Sequence, residues 1–341
     1  MMSRLRDEDA RVMRRRHTAL VAALALLATL VSACGSTEPR QLLGSIRGGT
    51  VILGTKFDQP GVGLQHPDKK MSGFDVKISE YVVNAIADEL GVKHPTIRWY
   101  ETPSAQREQL IDNGTVDMIA GSYSVNYSRA QKVSFAGPYL ITYQGLLVRK
   151  ADDSLTTLDD LNRGKKLCSV SGSTPAQNVK NLLPGTQLQE FDSYSSCVEA
   201  LRRGKVDALT TDETILAGYA KRYEGEFKLI QMNYELSKPL CIGNPKRQRR
   251  NGDPFSREVY GIGLARGDTA AIEAIDRALD KMIATGAWDS DLREALGDST
   301  IDGWEKRAES GTYGLRPDPS LAAIEKITGT KPAADPACGA A

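Results

Sequence analysis

Apolar positions along the chain repeat with two periods, and the periods alternate. Residues 50–55 (Thr50-Val51-Ile52-Leu53-Gly54-Thr55) are a short β-rich run that ends in turn chemistry at Asp58, Pro60 and Gly61. From residue 76 to 90, Val76, Ile78, Val82, Ile86 and Leu90 recur at helical spacing, and Gly91 stops the run. Residues 96–100 predict a strand, 105–112 a helix stopped by Asn113-Gly114, and 116–120 a strand. This βαβαβ rhythm predicts a parallel sheet covered by helices. A second set repeats the logic with a different sequence. It has strands at 145–149, 166–170, 188–191, 206–209 and 227–230, and helices at 175–183, 195–203 and 213–223. A last strand at 259–264 precedes amphipathic helices at 269–283 and 289–296. The fold class is α/β, in two lobes.

The N-terminus follows another pattern. Arg4, Arg6, Arg11 and the triplet Arg14-Arg15-Arg16 precede an apolar stretch from 19 to 31 broken only by Thr29, and Leu30-Val31-Ser32-Ala33 then lead to Cys34. Basic, apolar and small residues in that order read as a secretory signal peptide over residues 1–33, with lipidation at Cys34. A plain cleavable signal is the rival reading. The apolar stretch is shorter than the roughly 20 residues a membrane-spanning helix needs. The expected mature chain is therefore extracytoplasmic, lipid-anchored to the outer face of the cell membrane, with residues 34–47 as a tether.

Composition removes several classes of function. Lys and Arg number 44 against 43 for Asp and Glu, a net charge of +1, which leaves no electrostatic footprint for nucleic acid. Aromatic residues at 6% are too sparse for a stacking platform. Apart from Cys34, the remaining Cys168, Cys197, Cys241 and Cys338 permit three pairings in an oxidising compartment. The most economical pair is Cys168 with Cys197, inside one α/β lobe, leaving Cys241 and Cys338 by subtraction. No CxxC or CxxH spacing exists, and His17, His66 and His94 lie far from these cysteines in sequence, so neither metal nor cofactor is expected. Two segments stand apart. Residues 244–253 (NPKRQRRNGD) are basic and turn-rich, an expected exposed loop; residues 306–341 form a Gly/Pro/Ala-rich tail, partly disordered, with one helical candidate at 321–327.

Specific strings then narrow the reading. Gly73-Phe74-Asp75-Val76 opening a helix, Ser122-Tyr123-Ser124-Val125-Asn126-Tyr127-Ser128-Arg129, and Phe135-Ala136-Gly137-Pro138-Tyr139 resemble family 3 of the extracytoplasmic solute-binding proteins, the amino-acid family. Lys56-Phe57-Asp58-Gln59-Pro60-Gly61, Pro103-Ser104-Ala105-Gln106-Arg107, residues 167–175 (LCSVSGSTP) and Thr210-Thr211-Asp212 resemble the glutamate-binding lipoproteins of ABC uptake systems in high-G+C Gram-positive bacteria. The similarity runs from about residue 48 to about residue 296. It implies a type II periplasmic-binding-protein-like fold hinged by two crossover strands. Lobe 1 then takes residues 48–140 and 261–305, and lobe 2 residues 141–260.

A zwitterion buried between lobes needs a cation for its carboxylate and an anion for its ammonium, because unpaired charges make burial prohibitive. The resemblance assigns the α-carboxylate to Arg129, whose planar fork suits it, with Ser124, Ser122, Ser173 and Thr174. Ser173 or Thr174 also reads as an ordinary helix N-cap, and both roles use different atoms. Asp212 is the implied partner of the α-ammonium, and equally a candidate N-cap for the helix from Glu213. Lys56 and Arg107 stand where relatives that bind acidic amino acids carry cations for the side-chain carboxylate. Asp58 is a further candidate, either orienting these cations or meeting the ammonium. Three departures from the family pattern are Lys77 in place of a second acid, Asn126-Tyr127-Ser128 in place of Thr-Pro-Glu, and the 244–253 insertion. The expected function is binding of glutamate, with aspartate as the alternative, and delivery to an ABC permease with its ATPase subunit, by a monomer. An amino-acid sensor for a membrane signalling protein uses the same pocket chemistry and is the second reading. An enzyme needs a positioned acid or base, and no His lies in the cleft-forming strings.

Overall fold

Fourteen strands carry the architecture: β1 (Thr50–Thr55), β2 (Asp58–Gln59), β3 (Gly63–Gln65), β4 (Met71–Ser72), β5 (Thr96–Glu101), β6 (Met118–Ile119), β7 (Ser134–Arg149), β8 (Lys166–Val170), β9 (Gln187–Phe191), β10 (Ala208–Asp212), β11 (Phe227–Gln231), β12 (Leu240–Ile242), β13 (Arg247–Arg249) and β14 (Arg257–Leu264) among the described residues. The helices are α1 (Leu42–Arg47), α2 (Phe74–Glu89), α3 (Arg107–Asp112), α4 (Tyr127–Ala130), α5 (Leu158–Leu161), α6 (Thr174–Leu182), α7 (Tyr194–Arg202), α8 (Glu213–Arg222), α9 (Thr269–Ala284), α10 (Ala287–Leu296), α11 (Asp298–Glu309) and α12 (Leu321–Thr328). This computed structural model describes residues 39–339 except 156, 162, 310–313, 315 and 318. The expected signal peptide at 1–33 and lipidation at Cys34 lie outside the described residues.

The main sheet runs β5-β1-β6-β14-β7-β10-β8-β9, with β11 on β7. β1 is parallel to β5 and β6, and β8 is parallel to β9 and β10, as the βαβ rhythm predicts. β14 runs antiparallel to β6 and β7, and β10 and β11 run antiparallel to β7, so the sheet is mixed rather than wholly parallel. β7 joins two lobes. Its residues 134–143 face β14, whereas residues 144–149 lie between β10 and β11. Those 16 residues are nearly all buried, so they show no alternation, and sequence periodicity finds only their last five.

Helix α2 forms where periodicity predicts it. It buries Phe74, Val76, Ile78, Val82, Val83 and Ile86, each worth about 1.5–3 kcal/mol when removed from water. Trp288 of α10 packs edge-on against Phe74 and donates its indole N–H to the Tyr139 carbonyl at 2.7 Å. Part of the expected tether is structured. Leu42 and Ile46 of α1 are fully buried, and Arg40 and Ser45 both bond Asp117. Six residues are too few to show a helical period, and this is why the sequence hides α1. The expected loop at 244–253 contains β13, which pairs with β12 as a hairpin. Both disulfides form as paired above, Cys168–Cys197 and Cys241–Cys338, with Cα separations of 5.8 and 5.7 Å.

Candidate functional site

The carboxyl ends of β1, β6 and β10 converge, as binding edges of α/β sheets do. In the first lobe the organiser is Asp75, in the first turn of α2. Its carboxylate accepts the Ser122 N–H and the Tyr139 hydroxyl, each at 2.7 Å. Ser122 has a φ of 51°, a conformation costly for a residue with a Cβ, and the Asp75 bond holds it there. The Ser122 hydroxyl donates to Gln59 Oε1 at 2.6 Å, and its carbonyl accepts from Arg107 at 3.3 Å. Burial raises the Asp75 pKa to about 6 against these bonds.

Two guanidinium groups flank one aromatic ring. The Arg107 and Arg129 guanidinium carbons lie 4.9 and 5.0 Å from the Tyr123 ring centroid. Arg107 also donates to Ser104 Oγ at 3.0 Å. Arg129 donates to the Ser124 carbonyl at 2.7 Å and, across to the second lobe, to the Gly172 carbonyl at 3.0 Å. Glu108 lies 3.4 Å from Arg129 Nε. Burial, and then the charge of Arg129, lowers the pKa of Arg107. Asn126 caps α4 through the Arg129 N–H at 3.0 Å, so the departure at residues 126–128 still presents Arg129 on a formed helix.

The second lobe supplies the start of α6 and the end of β10. Ser173 is the N-cap of α6, accepting from the Ala176 N–H at 3.2 Å. Thr174 Oγ1 is buried and has no hydrogen-bond partner. Asp212 is the last residue of β10, and its side chain does not cap α8. Its Oδ2 accepts the Tyr260 hydroxyl at 2.5 Å, whereas Oδ1 is buried without a partner. Burial, reinforced by the charge of Glu258, pushes the Asp212 pKa well up.

Between the lobes these residues close around a cavity of only about 10 Å³, lined by Gln59, Ser104, Arg107, Ser122, Ser124, Arg129, Ser173, Thr174, Pro175, Tyr194, Asp212 and Ile215. Gln59 Nε2 is also buried there without a partner. The lining thus offers guanidinium forks, one free amide donor and one free hydroxyl together with one free carboxylate oxygen. Buried polar atoms are almost always paired, so three orphans around one cavity mark a site for a polar ligand carrying both charges.

Lys56 and Asp58 are not in that lining. Lys56 is 1% exposed. Burial, then Arg107, lowers its pKa to about 8, with Asp58 and Glu101 acting in the opposite direction. Asp58 accepts the Ser195 N–H at 3.0 Å near the start of α7, and its carbonyl accepts the Tyr219 hydroxyl at 2.5 Å. It fastens the lobes together outside the cavity. Sequence reasoning assigned no role to Gln59, Ser104 or Asp75, although all three stand inside the strings that carried the resemblance. Tyr194 had no motif signal. A larger, open groove of about 700 Å³ between α8, β11 and α10–α11 is lined by Leu229, Leu296, Trp304 and the Glu213–Arg307 pair, whose charges meet at 2.5 Å. Among the described residues no His, Cys, Asp and Glu cluster could hold a metal, and no helix is long and apolar enough to cross a membrane.

Residues 51–296 match the family model of the bacterial extracellular solute-binding proteins, family 3. The chain is 52% identical over 286 residues to the glutamate-binding protein GluB of Corynebacterium efficiens, covering 84% of this chain and 92% of that one. It is 29% identical over 282 residues to the ABC transporter glutamine-binding protein GlnH of Bacillus subtilis, covering 80% and 93%. Among solved structures, an ancestral arginine-binding protein bound to glutamine superposes with a TM-score of 0.60 at 28% identity, over 73% of this chain and 99% of that one.

Proposed function

The chain belongs to the bacterial extracellular solute-binding proteins, family 3, and from that membership we propose that it captures glutamate or aspartate between its lobes and delivers it to the permease of an ABC uptake system. The lobes are residues 48–140 with 261–305, and residues 141–260. The observation that carries the ligand class is Asp212 Oδ1, a buried acceptor without a partner in a cavity that also holds the Arg107 and Arg129 guanidinium groups. An α-ammonium pairs with Asp212, and the α-carboxylate meets Arg129, Ser124, Ser122, Ser173 and Thr174. Because the Ser122 N–H is held by Asp75, its share is limited to the face it presents to the cavity. A second carboxylate goes to Arg107, with Lys56 behind it. Glutamine in place of glutamate leaves that positive charge unneutralised in a buried site. The high identity to a glutamate-binding relative agrees with this charge pattern.

Cys34 carries the lipid in this reading, the mature protein works as a monomer on the outer face of the membrane, and no catalytic step is proposed. Calorimetric titration of the chain beginning at Gly35 with glutamate, aspartate, glutamine and asparagine tests the ligand. Glutamate is expected to bind tightly and to lose at least about 30-fold in Arg107→Ala, the scale of a buried charge left unpaired. Equal binding of glutamine, or no effect of that variant, would widen the ligand class to polar amino acids.

A further inference from the structure

The family match ends at residue 296, and the solved neighbour is covered almost whole by 73% of this chain. The C-terminal segment is an addition to that shared fold, and it touches both lobes. Ser320 donates its N–H to the Gly137 carbonyl of β7 at 3.0 Å. Ile324 of α12 is 4% exposed, packed into the first-lobe cluster of Tyr123, Val125, Val133 and Phe135, with Ile327 and the α4 residue Ala130 at its margin. The chain then leaves this lobe. Residues 330–334 make no backbone hydrogen bond among the described residues, and Asp335 next donates its N–H to the Lys246 carbonyl in the β12–β13 turn at 2.8 Å. Cys338 closes the path as a disulfide to Cys241 of β12.

The hairpin is itself fixed to the binding machinery. The Asn244 N–H donates to Asn181 Oδ1 near the end of α6 at 2.6 Å, and α6 begins at Ser173 and Thr174. One continuous path of covalent and packed contacts therefore leads from α4, which carries Arg129, through α12 and residues 329–335, to α6. On the way Lys331 and Pro332 line an open groove of about 630 Å³ with Pro245, Lys132 and the outer sides of Arg129 and Thr174.

We propose that residues 319–339 are a covalent strap across the cleft that limits separation of the lobes and so slows release of the ligand held between them. The effect on ligand rests on the binding reading above; the effect on lobe separation does not. From Thr328 to Asp335 the strap spans at most about 25 Å even when fully extended. Open arrangements that need a longer span are excluded, and those near the limit leave the link few conformations. Deleting open states shifts the population toward the closed one without any new contact to the ligand.

The test places a protease recognition sequence at residues 330–334, an exposed stretch outside both anchors, in the otherwise complete mature chain. Cutting there leaves α12 docked, the Cys241–Cys338 bond intact and every cavity residue unchanged. The cut protein is expected to release glutamate about fivefold faster or more, and to show a larger radius of gyration without ligand than the uncut protein. Cys338→Ser is expected to change both in the same direction. Equal release rates and equal radii before and after cutting overturn the strap. A lowered unfolding midpoint with unchanged release and radius also overturns it, because that describes a purely stabilising tail. If the uncut protein fails to bind glutamate, the ligand reading falls. The radius then decides the strap alone, with an increase on cutting supporting it and no change refuting it.

Discussion

Gly218 of α8 lies against Pro60 of the β2–β3 turn so closely that a Cβ on it would stand 1.7 Å from the Pro60 carbonyl oxygen. The two residues belong to different lobes, so the space left by the missing side chain is where the lobes meet. Gly218→Ala is expected to keep α8, since alanine favours helix over glycine by about 1 kcal/mol. Closure of the cleft would fail instead. Glutamate affinity should fall at least about tenfold with circular dichroism unchanged, a loss of roughly 1.4 kcal/mol. An unaltered affinity would show that the bound state does not use this approach.

Asp212 gives a prediction in which binding and stability move in opposite directions. Its buried carboxyl has a raised pKa, so the charged form costs folding free energy near neutral pH. Asp212→Asn keeps an acceptor for the Tyr260 hydroxyl and removes that charge. The ligand-free variant should melt at the same temperature as the parent or higher, while glutamate affinity drops by about 30-fold or more. A variant that melts lower and still binds would make Asp212 a structural residue.

Lys56 sets a pH limit on acidic ligands. Its ammonium is lowered to about 8 by burial and by Arg107, so it is charged below that pH and neutral above it. A ligand carboxylate nearby raises the pKa, and binding then takes up a proton above pH 8. The contribution of Lys56 to glutamate affinity should be full below pH 8 and fall by up to about tenfold per unit just above it. Lys56→Met should remove the part of the fall that begins at pH 8, leaving only that from loss of the ligand's own ammonium proton. Calorimetry of the parent in buffers of different ionisation enthalpy should detect the proton uptake. The same profile in parent and variant would separate Lys56 from the ligand.

How much of this was readable in advance depended on how each residue signals itself. Helix α2 announces itself through Val76, Ile78, Val82 and Ile86 because one face is buried and the other wet. β7 does not, because residues 134–149 are buried on both faces, so apolar and polar positions do not alternate, and Gly137-Pro138 reads as a turn. Arg107, Arg129 and Asp212 were legible through the order of several strings, and the cavity unites them. Lys56 and Asp58 sit in an equally recognisable string, yet the turn after β1 sends Asp58 toward Ser195 and leaves Lys56 behind the lining. Side-chain direction at a strand end is set by the neighbouring loop, which spacing does not encode. The hairpin at 240–249 was hidden because its charges and turn residues read as loop, and its strands are only three residues long.

Asp75 makes the last prediction, because it holds Ser122 in place without facing the ligand. Burial raises its carboxyl from 3.8 to about 6, opposed by the bonds from Tyr139 and Ser122. Raising the pKa of an acid means the folded state holds the proton longer than the unfolded state does. Stability from this group is therefore present below pH 4 and lost as pH rises to about 6, by at most about 3 kcal/mol. Asp75→Asn has no such proton and keeps an acceptor for the Ser122 N–H. Chemical denaturation at pH 4, 5, 6 and 7 should show the parent losing stability relative to Asp75→Asn across that range, with a constant difference above it. Parallel curves would mean that Asp75 is ionised throughout, its two hydrogen bonds outweighing the cost of burial.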